Sequence, residues 1–591
     1  MIREFTSYRF GPFHLDARER LLLREGHPVS LTPKAFDTLL TLVSQNGRLV
    51  DKDTLMSAVW PDTAVEESTI TQNVFTLRKT LSNGQSSGIS YIETVPKRGY
   101  RFVGDVTKLP NGTVPTKEPV HSAAILNVKA IAVLPFKMIS EGGEKYLGLG
   151  MADALITKLS SIQQITTRST NAVLKYSSVD RDVTAIGREL SVEAILDGHI
   201  QRSRDRIRVT AQLINVPDRS SIWAAKFDGR FTDIFSLQDS ISEQIVAALS
   251  LKLSGEERNL LTKRYTDNAD AYQLYLQGRY FWNKRTEESL HKSIKYFNRA
   301  TEIDVNYALA YTGLAESYVL FNMYSTVQLK DSFAMARSAA ENALKLDESL
   351  AEAHTALALV KEQYEWDWKG AEREFRRAIE LKPNYATAHQ WYSECLAFMG
   401  RTAESIFHME RAYELDPLSP IIATQLAFPY FCARMPGEAL KHLNRALKVH
   451  PDFPPATYYT ARTNTQRGMF EDAIAGFRRG IRLGGKHSLA LAGLAYACAM
   501  VGKRGQAQRI LKNLTTLSEG ERISPYVIAT IHSGLGQKDA AFDWLEKAAS
   551  NRDDLMVLLR VDHRLDSLRS DPRFKSLLRR AGLAGGFGTR A

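Results

Sequence analysis

"YIETVPKRGYRF", residues 91–102, alternates apolar and polar positions, breaks over Pro96 to Gly99, then alternates again. That pattern predicts a β-hairpin with Lys97 and Arg98 in its turn and Arg101 on the returning strand. Three cations around one tight turn repel one another unless solvent or a polyanion faces them. The residues immediately upstream decide between those two settings.

"EESTITQNVFTLRKTL", residues 66–81, places Ile70, Val74, Leu77 and Leu81 at helical spacing, a single stripe to be buried. The remaining surface carries Ser68, Thr69, Gln72, Asn73, Thr76, Arg78 and Lys79, with no carboxylate after Glu67. Glutamine and asparagine can bond adenine edges in pairs, threonine offers a methyl and a hydroxyl, and cations neutralise phosphate. A solvated helix face has the same composition when viewed alone; the cationic turn beside it shifts the reading to duplex DNA. There the hairpin tip would meet phosphate or an adjacent minor groove. The charge is local: residues 1–105 hold 13 Lys+Arg against 12 Asp+Glu, yet from Arg78 to Arg101 five cations face Glu93 alone.

Working back toward the N-terminus, "EFTSYRFGPFHLD" and "ERLLLREGHPVSL" alternate and predict a small antiparallel sheet. "LTPKAFDTLLTLVSQNG" predicts a helix with Thr32 as N-cap, Pro33 at the first position and Gly47 at the end. "DKDTLMSAVW" predicts a second, capped by Asp51 and stopped before Pro61. The order sheet, three helices and hairpin resembles the winged-helix effector domain of OmpR/PhoB-type transcription regulators. "LTPKAFDTLLTLV", "LMSAVWPD", "ITQNVFTLRKTL" and "TVPKRGYRF" carry the resemblance, over residues 1–105. It implies that Gln72, Asn73 and Thr76 read bases. Ser68, Thr69, Arg78 and Lys79, with Thr94, Lys97, Arg98 and Arg101 of the wing, would hold phosphate. The base-reading surface is Gln/Thr-based where the family commonly uses arginine, so the operator does not follow. The N-terminal position of the domain is similar to the CadC/ToxR/HilA-like group.

Residues 106–126 are rich in Pro, Thr, Gly and Lys without a period, a linker by composition. Residues 127–255 interleave strands ("KAIAVLPF", "RIRVTAQLINV") with helices, an α/β domain. They resemble a TolB-like (FlgO-like) domain, which implies a sensing or dimerisation role and no catalytic residues. "GLGMAD" (Gly148, Gly150) lacks the third glycine of a dinucleotide loop and reads as a strand-to-helix turn.

Residues 256–580 repeat. Ala300, Ala343, Ala378, Ala412, Ala446, Gly480, Leu514 and Ala548 form one column, spaced by 34 residues from Ala378 onward. A small-residue column runs seven positions earlier and a bulky one three positions earlier; Gly400, Gly468, Gly502 and Gly536 recur between paired helices. This is the period of the tetratricopeptide repeat, which the region resembles, with a C-terminal cap. A superhelix of such repeats implies a concave surface for a protein or peptide partner.

Cys395, Cys432 and Cys498 lie far apart, the 13 histidines are scattered, and no nucleophile, Walker or metal motif appears. No catalytic residue, cofactor or metal is expected. The most apolar run, "LALAGLAYACAMVG", is shorter than the roughly 20 residues that span a bilayer. The expectation is therefore a multidomain chain: α+β winged helix, α/β TolB-like domain, all-α superhelix. Its expected role is a cytoplasmic, non-enzymatic, sequence-specific regulator that binds double-stranded DNA. RNA polymerase and a second copy of the chain on DNA are compatible partners. The alternative is a tetratricopeptide scaffold whose winged helix binds protein or is vestigial.

Overall fold

The computed structural model describes the chain except residues 1–6, 18–20, 25–26, 30, 32, 46, 61–66, 83–90, 97, 110–127, 140–144, 178–181, 285, 325–330, 485–487, 517–522 and 586–591. It divides into two compact units, residues 1–125 and 126–591.

In the first unit, β1 (Ser7–Phe10), β2 (Phe13–Asp16), β3 (Leu21–Arg24) and β4 (His27–Val29) form the expected antiparallel meander. Its alternation buries Phe10, Phe13, Leu15 and Leu22. Next come α1 (Pro33–Ser44), β5 (Leu49–Asp51), α2 (Lys52–Val59), α3 (Glu67–Ser82) and the hairpin of β6 (Ile92–Val95) and β7 (Gly99–Phe102). Asp51 caps α2, accepting from the Thr54 amide at 2.7 Å. Thr32, the expected cap of α1, lies outside the described residues. Composition had placed residues 107–109 in the linker. They form β8 (Thr107–Leu109) and pair with β1, a strand too short to show alternation. The rest of that segment, 110–126, lies outside the described residues.

In the second unit, β9 (Ala130–Val133), β10 (Lys137–Met138), α4 (Lys145–Leu159), β11 (Thr166–Thr167), α5 (Thr170–Leu174) and α6 (Val183–Glu189) precede three long strands. These are β12 (Ala194–Ser203), β13 (Arg206–Asn215) and β14 (Ser221–Arg230), closed by α7 (Ile234–Ala248). The sheet order is β11-β9-β12-β13-β14, parallel across β11, β9 and β12 and antiparallel beyond, with β10 also on β12. Gly148 and Gly150 do not form a turn; both lie inside α4. Gly148 is there because a Cβ would collide with the Phe136 carbonyl oxygen, so the helix could not approach the strand end.

After α8 (Gly255–Thr262) the helices pair: α9 (Ala269–Trp282) with α10 (Glu287–Ile303), and α11 (Ala308–Tyr324) with α12 (Ser332–Leu346). α13 (Ala351–Val360), extended by a π turn over Lys361–Glu365, pairs with α14 (Trp368–Leu381), and α15 (Ala386–Met399) with α16 (Thr402–Leu415). In the next pair the first helix is broken into α17 (Pro420–Gln425) and α18 (Phe428–Cys432), followed by α19 (Pro436–Val449). Then come α20 (Pro454–Gln466) with α21 (Phe470–Gly484), α22 (Ser488–Met500) with α23 (Arg504–Thr515), and α24 (Pro525–Gly534) with α25 (Lys538–Ser550). The repeat columns are the contact surfaces of these pairs. Ala300, Ala343, Ala378, Ala412 and Ala548 are all buried, as are Phe297, Phe375, Leu443 and Phe477 three positions earlier. Leu514, the exception to the small column, is also buried. The recurrent glycines take positive φ, Gly400 at 79° and Gly502 at 78°, where a Cβ is strained.

The α/β domain and the first helix pairs share one hydrophobic core, in which Leu155 and Ile195 belong to the same cluster as Leu276 and Phe297. The boundary near 255 therefore separates types of element, not cores.

Candidate nucleic-acid interface

Helix α3 buries Ile70, Val74, Leu77 and Leu81 to 5% exposure or less, so its opposite face is turned outward. Gln72 is exposed and Asn73 and Thr76 are half-buried, on the predicted surface. The Thr76 hydroxyl donates to the Gln72 carbonyl at 2.9 Å, which leaves its methyl and lone pairs for any outside contact. Thr69 is half-buried at the start of the same helix. Phe75, which pattern analysis passed over, stands on this face with 62% of its surface exposed. Its signal was in the sequence: an aromatic three positions after Gln72 cannot share the buried stripe.

Three features fix the hairpin, two of them to α3. Phe10 packs against Phe102 with ring centroids 4.9 Å apart, tying the wing strands to the first sheet. Tyr100 is buried, and its hydroxyl lies 3.4 Å from Thr71 Oγ1 of α3. Arg78 donates to the Ile92 carbonyl from Nε at 3.0 Å and from Nη2 at 2.8 Å, and Nη2 also reaches Thr94 Oγ1 at 2.7 Å. Arg78 and Thr94, expected as phosphate contacts, are thus bonded to each other. The guanidinium joins helix to wing.

A third strand, β5, pairs with β7 and was invisible as a strand, being three residues between two helices. It explains Gly99. The turn itself closes through the Arg98 amide donating to the Val95 carbonyl at 3.0 Å. Gly99, at φ 150°, is required because a Cβ would strike the Val50 carbonyl oxygen on β5. Arg98 is exposed at the turn. Arg101 lies across from Glu93, with Nη1 3.7 Å from its carboxylate, so this pair is charge-balanced. Lys97 lies outside the described residues, as do the side chains of Ser68 and Lys79.

The repeat array was expected to offer a concave face for a partner, and residues 553–583 fold back onto several of its helices. Residues 553–583, comprising the 3-10 turns Asp554–Leu558 and His563–Leu568 and helix α26 (Pro572–Arg580), pack on the first helices α18, α20, α22 and α24 and on the second helices α14 and α25. His563 alone touches three pairs: Nε2 bonds Thr465 at 2.8 Å, and its ring meets Phe431 at 5.8 Å and Tyr496 at 6.1 Å. Trp368 Nε1 donates to the Ala581 carbonyl at 2.7 Å. Met556, Leu559, Leu565, Leu568, Phe574 and Leu577 are at most 1% exposed. Burying six such side chains contributes roughly 10–20 kcal/mol before entropy.

Nearer its start, the array meets the α/β domain. Arg279 of α9 bridges Asp153 of α4 at 3.0 Å and Glu316 of α11 at 2.7 Å, and its guanidinium lies 4.3 Å from the Trp282 ring. These residues line a cavity of about 100 Å³. Among the described residues, no group of histidine, cysteine and carboxylate side chains could hold a metal ion, and no helix is long and apolar enough to cross a membrane.

Residues 26–102 match the family described as "Transcriptional regulatory protein, C terminal". Residues 127–244 match "HilA/YgeH-like transcriptional regulator, second domain". The chain is 31% identical over 233 residues to "Putative adenylate cyclase 3" of Rhizobium meliloti (strain 1021), a match that covers 39% of this chain and 40% of that one. It is 24% identical over 402 residues to "Transcriptional regulator HilA" of Salmonella typhi, covering 67% and 68%. It is 29% identical over 135 residues to "Transcriptional activator CadC" of Escherichia coli (strain K12), covering 20% and 26%. The chain thus spans about two fifths of the cyclase relative's length. It carries a winged-helix domain of the transcription-regulator type followed by a HilA-like second domain and a repeat array.

Proposed function

We propose that this chain is a sequence-specific, double-stranded-DNA-binding transcription regulator, with Gln72, Asn73 and Thr76 reading base edges in the major groove. The observation that carries this reading is the fixed pairing of the outward face of α3 with the wing through Arg78, Ile92 and Thr94. A helix presented with a rigid ribbon beside it can enter one groove while the ribbon tip meets the neighbouring backbone. Thr69 and Arg98, with Ser68, Lys79 and Lys97, supply the phosphate contacts, and Arg78 and Thr94 set the wing's position. Arg101, paired with Glu93, contributes less net charge.

The regulator acts in the cytoplasm without chemistry of its own. The match to a cyclase relative supports shared domains only, since it covers 40% of that protein. The α/β domain and the array act as one sensing and partner-binding body, with RNA polymerase and a second copy of the chain as candidate partners. A protein or peptide partner docks on the repeat array, whose helices α18, α20, α22 and α24 also hold residues 553–583. Selection of the full chain against a random duplex pool tests the reading. Enrichment of one defined sequence supports it; retention of all duplexes alike, or of none, rejects it.

A further inference from the structure

Phe75 sits one helical turn from Gln72 and beside Thr76, on the face of α3 opposite its buried stripe. Among the described residues of the first unit, only Phe75 and Val103 are large hydrophobics left exposed, and Phe75 is the more open at 62%. The stripe of Ile70, Val74, Leu77 and Leu81 is complete without it, so its exposure is not an underfilled core. An aromatic ring held in water on an otherwise polar face has contact area to give to an apolar partner.

We propose that Phe75 is a specificity-determining residue that packs against the C5 methyl group of a thymine in the major groove, next to the base read by Gln72. This rests on the DNA-binding reading above and deepens it. The thymine methyl is the apolar group that base edges present in that groove, and phenylalanine is among the side chains that contact it. The neighbours fit the same base pairs: an amide at Gln72 matches the N6 and N7 of adenine. Arg78, the helix's arginine and the side-chain type that pairs best with guanine, is turned to the Ile92 carbonyl and Thr94 instead. The face of α3 therefore reads A·T pairs, by hydrogen bonding on one strand and by methyl contact on the other.

The test uses the full chain and the duplex it enriches from a random pool, with each thymine replaced in turn by deoxyuridine, which removes the methyl and nothing else. The expected result is one thymine, within a base step or two of an adenine that Gln72→Ala ceases to distinguish, whose replacement weakens binding about fourfold, the worth of one buried methyl-sized group. Phe75→Ala should lower affinity for the thymine duplex and lose that sensitivity, while Phe75→Leu should retain part of it. Both positions are on the surface, so circular dichroism of the variants should match the parent. Indifference of the parent to every replacement overturns the proposal, as does a Phe75→Ala variant with undiminished sensitivity. Failure to retain any duplex removes the DNA-binding reading itself, a distinct outcome because no enriched sequence would exist.

Discussion

The Arg78 guanidinium of α3 donates two hydrogen bonds to the Ile92 carbonyl of the wing, at 3.0 and 2.8 Å. A carbonyl at the start of a two-stranded ribbon, held by a charged donor on the neighbouring helix, fixes the angle between them; such charge-assisted bonds are about twice as strong as neutral ones. Arg78→Ala should therefore lower stability by about 1–3 kcal/mol. It should also weaken all duplexes alike, because the wing is no longer set against the helix. A residue that only touched phosphate would leave the stability of the free protein unchanged. Loss of stability in the absence of DNA is the expected result, read from denaturant titration of parent and variant; a variant as stable as the parent would contradict the clamp.

Gln72 and Thr76 should not be equivalent. The Thr76 hydroxyl is already donated to the Gln72 carbonyl, whereas the Gln72 amide faces outward. Gln72→Ala should cost about 1–3 kcal/mol of discrimination at one base pair. Thr76→Ala should cost less, and Thr76→Val, which keeps a methyl, less still. Comparison of affinities for single-base variants of the enriched duplex decides; a larger effect at Thr76 would show that its hydroxyl turns outward on binding.

Glu362, on the π turn after α13, is 1% exposed, and burial pushes its carboxyl up to about 8, against an ordinary 4.5. Burial likewise raises Glu394, which accepts from Gln390 at 3.0 Å, to about 7. The folded state holds the Glu362 proton more tightly than the unfolded chain does, so its contribution is present below about 4.5 and is lost as pH rises toward 8. Glu362→Gln, neutral at every pH, should stabilise the array by a few kcal/mol at pH 8 and by almost nothing near pH 4. Thermal unfolding at both values checks this; an equal effect at the two would place the origin elsewhere.

Asp562, fully buried in the C-terminal segment, accepts from Arg564 Nη2 at 2.7 Å and from the Tyr526 hydroxyl at 3.2 Å, with Arg462 3.6 Å away. The two guanidinium groups hold its carboxyl far below the usual range despite burial. Asp562→Asn leaves both cations without a counter-charge and should cost about 3–5 kcal/mol. The fluorescence of Trp366, Trp368 and Trp391, which share that core, reports the transition on denaturant titration. A variant that unfolds with the parent would mean the segment is not essential to the array.

Periodicity made the repeats legible because each column serves the same contact in every pair: Ala371 and Ala541, 170 positions apart, are both fully buried. It made α3 legible for the same reason. What it could not reveal depends on contacts between residues distant in sequence. Nothing local says that Arg78 turns to Ile92, since the pairing needs the ribbon folded back beside the helix. β5 and β8 are three residues each, too short for a period. The return of residues 553–583 onto the array was hidden because they read as one more cap, and their hydrophobic residues follow no repeat. Phe75 was visible as an aromatic out of phase, and the structure adds that nothing in the described residues buries it.

The salt dependence of duplex binding by the full chain and by its Arg98→Ala variant tests the central claim most directly. Arg98 is exposed at the wing tip, and the claim is that the tip lies on phosphate. The logarithm of affinity should fall linearly with the logarithm of salt concentration for the parent, and the variant's slope should be shallower by about 0.9, one phosphate contact. Parent and variant isotherms with the same slope, or a parent that ignores duplex DNA in dilute buffer, would contradict it.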